Sequence, residues 1–104
     1  MKIKINKKII EVKDCRGLSS VRGMMFDKKS KGALIRGNSI WMPFVSTSLC
    51  LLFLDNNYKL IEVQEAVPMT LNPKTWKVYN CNRAAYCLEL RKGIIKNPVS
   101  VVIA

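Results

Sequence analysis

Polar and apolar residues alternate in short runs from the first residues of the chain onward. Lys2-Ile3-Lys4-Ile5 places every second side chain on one face of an extended segment, and the pattern resumes from Lys8 to Lys13. Such alternation is typical of a half-buried strand, and Asn6-Lys7 between the two runs is a plausible two-residue turn. The beginning of the chain therefore predicts a β-hairpin.

The run Leu49-Cys50-Leu51-Leu52-Phe53-Leu54 is apolar at every position instead. A strand in the middle of a sheet is buried on both faces, so a short unbroken apolar run favours a central strand. Asp55-Asn56-Asn57 then predicts a turn, and Tyr58 to Glu65 alternates again. We predict that these segments form a central strand and its amphipathic neighbour.

Further short runs with strand character occur at 33–36, 39–42, 75–79, 85–90 and 99–103. Gly37-Asn38 separates the first two runs as a turn would, and Ser19 or Ser20 can cap a short helix that runs to about Met25. The chain is therefore predicted to be mostly β (α+β). We expect a single domain over residues 1–104, a small β-barrel or β-sandwich of about seven or eight short strands with one short helix.

The composition fits a folded, soluble protein. Hydrophobic residues make up 49% and charged residues 24% of the 104 residues, which supports one hydrophobic core. No run approaches the roughly 18 apolar residues of a membrane-spanning helix, and lysines interrupt the first residues in a way that a secretory signal does not show. We expect a cytoplasmic protein without membrane association, as a monomer or a weak homodimer.

Three parts of the chain carry a family resemblance: Ser39 to Val45 followed by Leu49 to Asp55, Arg22-Gly23-Met24-Met25-Phe26, and Tyr86 to Gly93. In this order and spacing they resemble the uncharacterised archaeal and bacterial family called domain of unknown function 192. The resemblance covers roughly residues 15 to 100. It implies a β-rich fold with one helix, and it implies no established activity.

The chain departs from the family pattern just after Trp41-Met42. Many members have a basic residue, Asn and Thr, or Pro-Leu-Asp in this region, whereas this chain continues from Pro43 to Cys50. Cys50 takes the place of the acidic residue. The resemblance therefore implies that a family site using that carboxylate is altered or lost here.

Aromatic side chains suggest a binding groove. Trp41-Met42-Pro43-Phe44 ends a strand at a proline, and Val67-Pro68-Met69 lies in a predicted loop, so some of these groups can line an open surface. An apolar groove with a polar rim suits a small ligand or an extended glycan or peptide. The candidate ligand-binding residues are Arg22, Arg36, Trp41, Phe44, Trp76 and Glu89.

Catalytic and metal-binding groups are few. The chain has no histidine, so it lacks the commonest general base, and its four cysteines do not show the spacing of a zinc site. Glu89 lies between two leucines in a predicted strand and is expected to pair with Arg22 or Arg36. A hydrolase or lyase that works through Glu89 and Arg22 is a less favoured alternative. We assign no catalytic residue, no metal and no cofactor.

The net charge of +11 leaves a second functional interpretation open. Ten of the 18 lysines and arginines lie in the first 31 residues and six lie after residue 73, so the two ends of the chain are basic. If the terminal strands are neighbours, Lys7, Lys8 and Lys77 can contribute to a nucleic-acid surface on which Trp76 and Tyr79 stack. Lysines that decorate solvent faces and protect strand edges explain the same pattern without a ligand.

Overall fold

The computed structural model describes residues 1–17, 24, 29–42, 45, 47–98 and 100–103, and ten strands lie among them. They are β1 (Lys2–Ile5), β2 (Lys8–Glu11), β3 (Lys13–Cys15), β4 (Gly32–Arg36), β5 (Ser39–Trp41), β6 (Leu49–Leu54), β7 (Leu60–Ala66), β8 (Val78–Asn80), β9 (Tyr86–Arg91) and β10 (Val101–Ile103).

A five-stranded sheet with the order β3-β4-β9-β6-β7 forms the centre of the fold. Only β3 and β4 run parallel in it, and the other neighbours are antiparallel. Strand β6 lies between β9 and β7, and five of its six residues are buried. The unbroken apolar run at 49–54 therefore predicted the central strand correctly.

Two smaller sheets cover the two faces of this central sheet. On one side, the sheet β10-β1-β2 packs Ile3, Ile5 and Ile10 into a core that includes Leu52 and Leu88. On the other side, the sheet β5-β8 packs Ile40 and Tyr79 into a second core with Phe53 and Cys87. Successive residues of β6 and β9 point to opposite faces, so each strand contributes to both cores.

The glycine at the start of β4 has a packing role. A Cβ atom at Gly32 would lie 2.3 Å from the backbone oxygen of Glu89 and 2.7 Å from Cδ2 of Leu90. No side chain fits at that distance from a neighbouring backbone. Gly32 therefore permits the close approach of β4 to β9, which fixes the position of Glu89.

The prediction of a mostly β fold is confirmed, with corrections of detail. The opening hairpin forms as predicted, because β1 pairs with β2 across the turn at Asn6. The strands on either side of Gly37-Asn38 also form, but β4 pairs with β3 and β9 while β5 pairs with β8. The described strands number ten rather than seven or eight, and they build three sheets rather than one closed barrel.

Helical structure is scarce in the part of the chain that the structure describes. A single turn of 3-10 helix at Pro73–Thr75 is found there, and no helix among these residues is long and apolar enough to cross a membrane. The helix predicted from Ser19 or Ser20 to Met25 falls, apart from Met24, outside the described residues.

Candidate functional site

Two tryptophans lie on the outer surface of the small β5-β8 sheet. In β5 the side chain of Ile40 is buried and that of Trp41 is 55% exposed, because neighbouring residues of a strand point to opposite faces. Trp76 lies just before β8 and is 58% exposed. Both line a groove of about 360 Å³, which we call the tryptophan groove; it is formed by Trp41, Met69, Trp76, Lys77 and Val78.

Hydrogen bonds around the 3-10 turn fix the orientation of Trp76. Its indole Nε1–H donates to the carbonyl oxygen of Thr70 at 2.7 Å, and its backbone N–H donates to the carbonyl of Pro73 at 3.0 Å. Thr75 closes the same loop by accepting a hydrogen bond from the backbone N–H of Thr70 at 2.8 Å. The ring therefore lines the groove with its one polar atom already bonded.

The only charged side chain lining the tryptophan groove, among the described residues, belongs to Lys77. Its ammonium nitrogen lies 4.7 Å from the centre of the Tyr79 ring, a distance suited to cation–π attraction. Tyr79 is itself fixed, because its ring is buried and its hydroxyl accepts a hydrogen bond from the backbone N–H of Val67 at 3.1 Å. The groove thus combines two flat aromatic faces with one positioned cation.

Glu89 is the buried charged residue of the described chain, with 3% of its surface exposed. It lies beside Ala33 in the sheet, and Lys13 lies beside Ala33 on the other side, so all three share one face. Burial raises the pKa of Glu89 from 4.5 to about 7, although the charge of Lys13 and a hydrogen bond from the backbone N–H of Met24 act in the opposite direction. A catalytic acid must reach its substrate, and this carboxyl group is enclosed.

Arg36 lies on the opposite face of the sheet from Glu89, so it is not the partner of this carboxyl group, and Arg22, the other expected partner, lies outside the described residues. Its guanidinium is 5.8 Å from the centre of the Tyr86 ring, and Tyr86 stacks on Tyr58 with 4.4 Å between ring centres. A hydrogen bond from Tyr58 and, to a smaller extent, one from Arg36 lower the pKa of Tyr86. Arg16 completes this surface cluster by donating to the Tyr58 hydroxyl at 2.8 Å.

The lysines considered for nucleic-acid binding fall on two sides of the molecule. Strand β1 pairs with both β2 and β10, so the two ends of the chain are neighbours. Lys7 occupies the turn between β1 and β2, and the Lys8 ammonium contacts the carbonyl of Ile94 at 3.4 Å. Lys77 instead lies over Tyr79, whose ring belongs to the core on the other face of the central sheet.

The structure therefore brings together two of the six residues proposed for ligand binding, Trp41 and Trp76. Glu89 and Arg36 lie elsewhere, and Arg22 and Phe44 lie outside the described residues. Sequence reasoning did not place Lys77 and Val78 in the groove. The order Trp76, Lys77 and Val78 before a buried tyrosine is a weak signal that these residues line a surface. The end of a short strand exposes residues on both of its faces.

Comparison with known proteins identifies the fold and the family. The crystal structure of a protein of unknown function from Novosphingobium aromaticivorans DSM 12444 is similar, with a TM-score of 0.74 over 99% of this chain and 84% of that chain. The two sequences are 14% identical, so this likeness shows the fold alone. No curated protein matches the chain.

Residues 12–99 match the family model of domain of unknown function 192, which is described as an uncharacterized ACR. The match covers most of the chain, including the strands that position the tryptophan groove and Glu89. The chain therefore belongs to the family of domain of unknown function 192.

Proposed function

We propose that this protein is a binding module for an extended glycan, which stacks on Trp41 and Trp76 in the tryptophan groove. The observation that carries the proposal is the exposure of both tryptophans, above one half of each side chain, on one groove. Exposed apolar surface of this kind marks interaction sites, because burying it in a complex is favourable.

A glycan fits this groove better than a proline-rich peptide does. Grooves that recognise extended peptides combine aromatic rings with donors for the peptide carbonyls. The indole N–H of Trp76 already donates to Thr70, so this ring offers a flat face without a free donor. A sugar ring has a flat C–H face that packs on an aromatic face without a hydrogen bond from the indole.

The charge of the groove favours a glycan that carries carboxylates. Lys77 is held at the groove by its contact with Tyr79, and the whole chain has a net charge of +11. A field of that sign raises the local concentration of anionic ligands and the rate at which they associate. We therefore expect oligosaccharides of uronic acids to bind more tightly than neutral ones of the same length.

Tryptophan fluorescence tests the proposal directly, because the chain has two tryptophans and both line the groove. Titration with a uronic-acid oligosaccharide should shift the emission, and a neutral glucose oligosaccharide should do so more weakly. Trp41→Ala and Trp76→Ala should each weaken binding by roughly tenfold in calorimetry, the size expected for one lost aromatic contact of about 1.5 kcal/mol. Leu71→Ala is the matched control, since Leu71 is exposed outside the groove.

Two results would overturn the glycan proposal. If the emission responds to proline-rich or apolar peptides but not to sugars, the groove is a peptide site. If the emission changes with protein concentration in the absence of ligand, the groove is covered by a second copy of the chain.

A second candidate function, nucleic-acid binding, is favoured by the contact of the Lys8 ammonium with the carbonyl of Ile94, which places Lys8 beside the loop that carries Lys92 and Lys96. Lys7→Glu and Lys8→Glu should then weaken RNA or DNA binding, and the affinity should fall steeply between roughly 50 and 200 mM salt. Fluorescence anisotropy of labelled single- and double-stranded oligonucleotides measures both effects. Absence of binding at the lower salt concentration would remove this candidate.

A further inference from the structure

A second cleft lies on the other side of the central sheet, under the loop 92–98 that follows β9. Its volume is about 630 Å³, within the roughly 300–1,000 Å³ typical of small-molecule sites. The floor includes Cys50 and Val63, and Ile95 and Pro98 line the loop side. Two lysines of the loop also line it, Lys92 and Lys96, and we call it the lysine cleft.

Hydrogen bonds hold the loop over the lysine cleft. The backbone N–H of Lys92 donates to the carbonyl of Ser48 at 3.0 Å, which ties the loop to the start of β6. The ammonium of Lys8 contacts the carbonyl of Ile94 at 3.4 Å, and the Asn6 amide reaches the carbonyl of Asn97 at 3.5 Å. These contacts come from the first hairpin and from the residue just before β6, so the cleft is preformed by the fold.

The charged groups around the cleft have an excess of positive charge. Lys92 and Lys96 line it, Lys8 reaches the same loop, and Glu65 is the one carboxylate among the described lining residues. The thiol of Cys50 adds no negative charge near neutral pH, because burial and then the neighbouring charge of Glu65 raise its pKa. The cleft therefore joins an apolar floor to a cationic loop.

We propose that the lysine cleft binds a small amphipathic anion, with a carboxylate or phosphate head and an apolar body. The head lies at Lys92 and Lys96, where its charge is neutralised, and the body packs between Val63, Ile95 and Pro98. Glu65 opposes this binding, since it places a like charge beside the floor. The site is separate from the tryptophan groove and does not depend on the glycan proposal.

The cysteines provide a selective probe of the cleft. Cys50 is partly exposed, whereas Cys15, Cys81 and Cys87 are buried, so N-ethylmaleimide should modify Cys50 first in the folded protein. The reagent is uncharged, so the lysines neither attract nor repel it. Octanoate and octyl phosphate should each slow this modification, and octanol and acetate should not, because one lacks the charge and the other lacks the apolar body.

The two anions distinguish the head group. We expect saturating octanoate or octyl phosphate to slow labelling of Cys50 at least about tenfold, since a bound ligand covers the thiol. If only one of them protects, the cleft selects that head group. Calorimetry with the same compounds separates true occupancy from an electrostatic effect of the anion on the thiol.

Charge variants test where the head lies. Lys92→Glu and Lys96→Glu should each weaken octanoate binding at least about fivefold, whereas Glu65→Gln should strengthen it. Lys77→Glu is the matched control, because it changes the same charge at the tryptophan groove. Equal protection by octanol and octanoate, or unchanged binding by Lys96→Glu and Lys92→Glu, would overturn the proposal.

Discussion

The tryptophan groove and the lysine cleft lie on opposite sides of one central sheet and are built from different side chains. The groove has aromatic faces on a two-stranded sheet, and Lys77 is the one cation among its described lining residues. The cleft has aliphatic walls and a thiol under a loop, with Lys92 and Lys96. The first surface suits stacking, which depends little on salt, and the second suits a charged head, which salt screens.

The buried residues beneath the two surfaces also differ in chemical character. On the cleft side, the central sheet contributes leucines such as Leu52, Leu88 and Leu90. On the groove side, the same sheet buries the carboxyl group of Glu89. A buried ionisable group makes the free energy of unfolding depend on pH, whereas a core of aliphatic side chains adds no such dependence. Substitutions that change charge, aromatic area or backbone strain should therefore affect the two sides of the protein differently, and experiments can distinguish these effects.

The largest expected effect is that of Glu89→Gln on stability. The pKa of Glu89 is about 7 in the fold against 4.5 as the ordinary value, so the folded carboxyl stays protonated while the unfolded one ionises. Wild-type stability should thus fall as pH rises from about 4.5 to 7, by about 3 kcal/mol in total. Glutamine keeps an acceptor for the Met24 N–H without the charge.

Denaturant unfolding at about pH 4 and about pH 8 measures this difference. The variant should match the wild type at the lower pH and exceed it by about 3 kcal/mol at the higher one. Glu62→Gln, at an exposed position of β7, should change stability by less than about 0.5 kcal/mol at both. A variant less stable than the wild type at pH 8 would show instead that ionised Glu89 and Lys13 stabilise the fold as a pair.

The next effect is on ligand binding and separates the two surfaces from each other. The double variant Trp41→Ala/Trp76→Ala should weaken uronic-acid oligosaccharide binding roughly 30-fold or more, about 2 kcal/mol, and leave octanoate protection of Cys50 unchanged. The double variant Lys92→Glu/Lys96→Glu should abolish octanoate protection of Cys50 and leave oligosaccharide binding unchanged. Calorimetry measures oligosaccharide binding and maleimide labelling measures octanoate protection, each on both double variants. Loss of both activities in either variant would mean that the two surfaces are coupled or that the variant has unfolded.

How far the sequence predicts this fold depends on the kind of pattern. The opening hairpin and the pair formed by β6 and β7 follow from alternation and from the apolar run at 49–54, because burial on one or two faces leaves a direct trace in the residues. The partners of β4 and β5 were not predictable in this way. Gly37-Asn38 resembles a hairpin turn, yet the backbone N–H of Gly37 donates to Ala85 and the strands enter different sheets.

The sequence located parts of the groove for a similar reason. Trp41 and Trp76 stood out as residues that can line a surface, but their proximity depends on the pairing of β5 with β8, which joins residues about 40 positions apart, from Trp41 with Val78 to Ser39 with Asn80. Glu89 was identified as a strand residue between two leucines, whereas its burial and its neighbour Lys13 depend on the pairing of β3, β4 and β9. Long-range pairing leaves no local pattern, so the contacts of each site had to come from the structure.

A smaller effect tests whether the loop over the lysine cleft is held by its backbone. Gly93 has a φ of 91°, which side chains with a Cβ rarely adopt, and no atom would collide with an added methyl group. Gly93→Ala should therefore destabilise the protein by about 1 kcal/mol through backbone strain alone and weaken octanoate binding without changing glycan binding. Gly17→Ala is the control, since it has similar space and no such φ. A neutral Gly93→Ala would show that the loop adapts freely.

The smallest expected effect is that of salt, and it distinguishes the two surfaces without any substitution. Raising the salt from roughly 50 to 200 mM should weaken octanoate binding a few-fold, because the interaction of its single charge with Lys92 and Lys96 is screened at their exposed end. A neutral oligosaccharide in the tryptophan groove should be almost unaffected, since it is held by stacking. Calorimetry of both ligands in the same two buffers provides the comparison. If salt strengthens octanoate binding, its apolar body dominates the affinity, and the lysines serve to orient the head rather than to attract it.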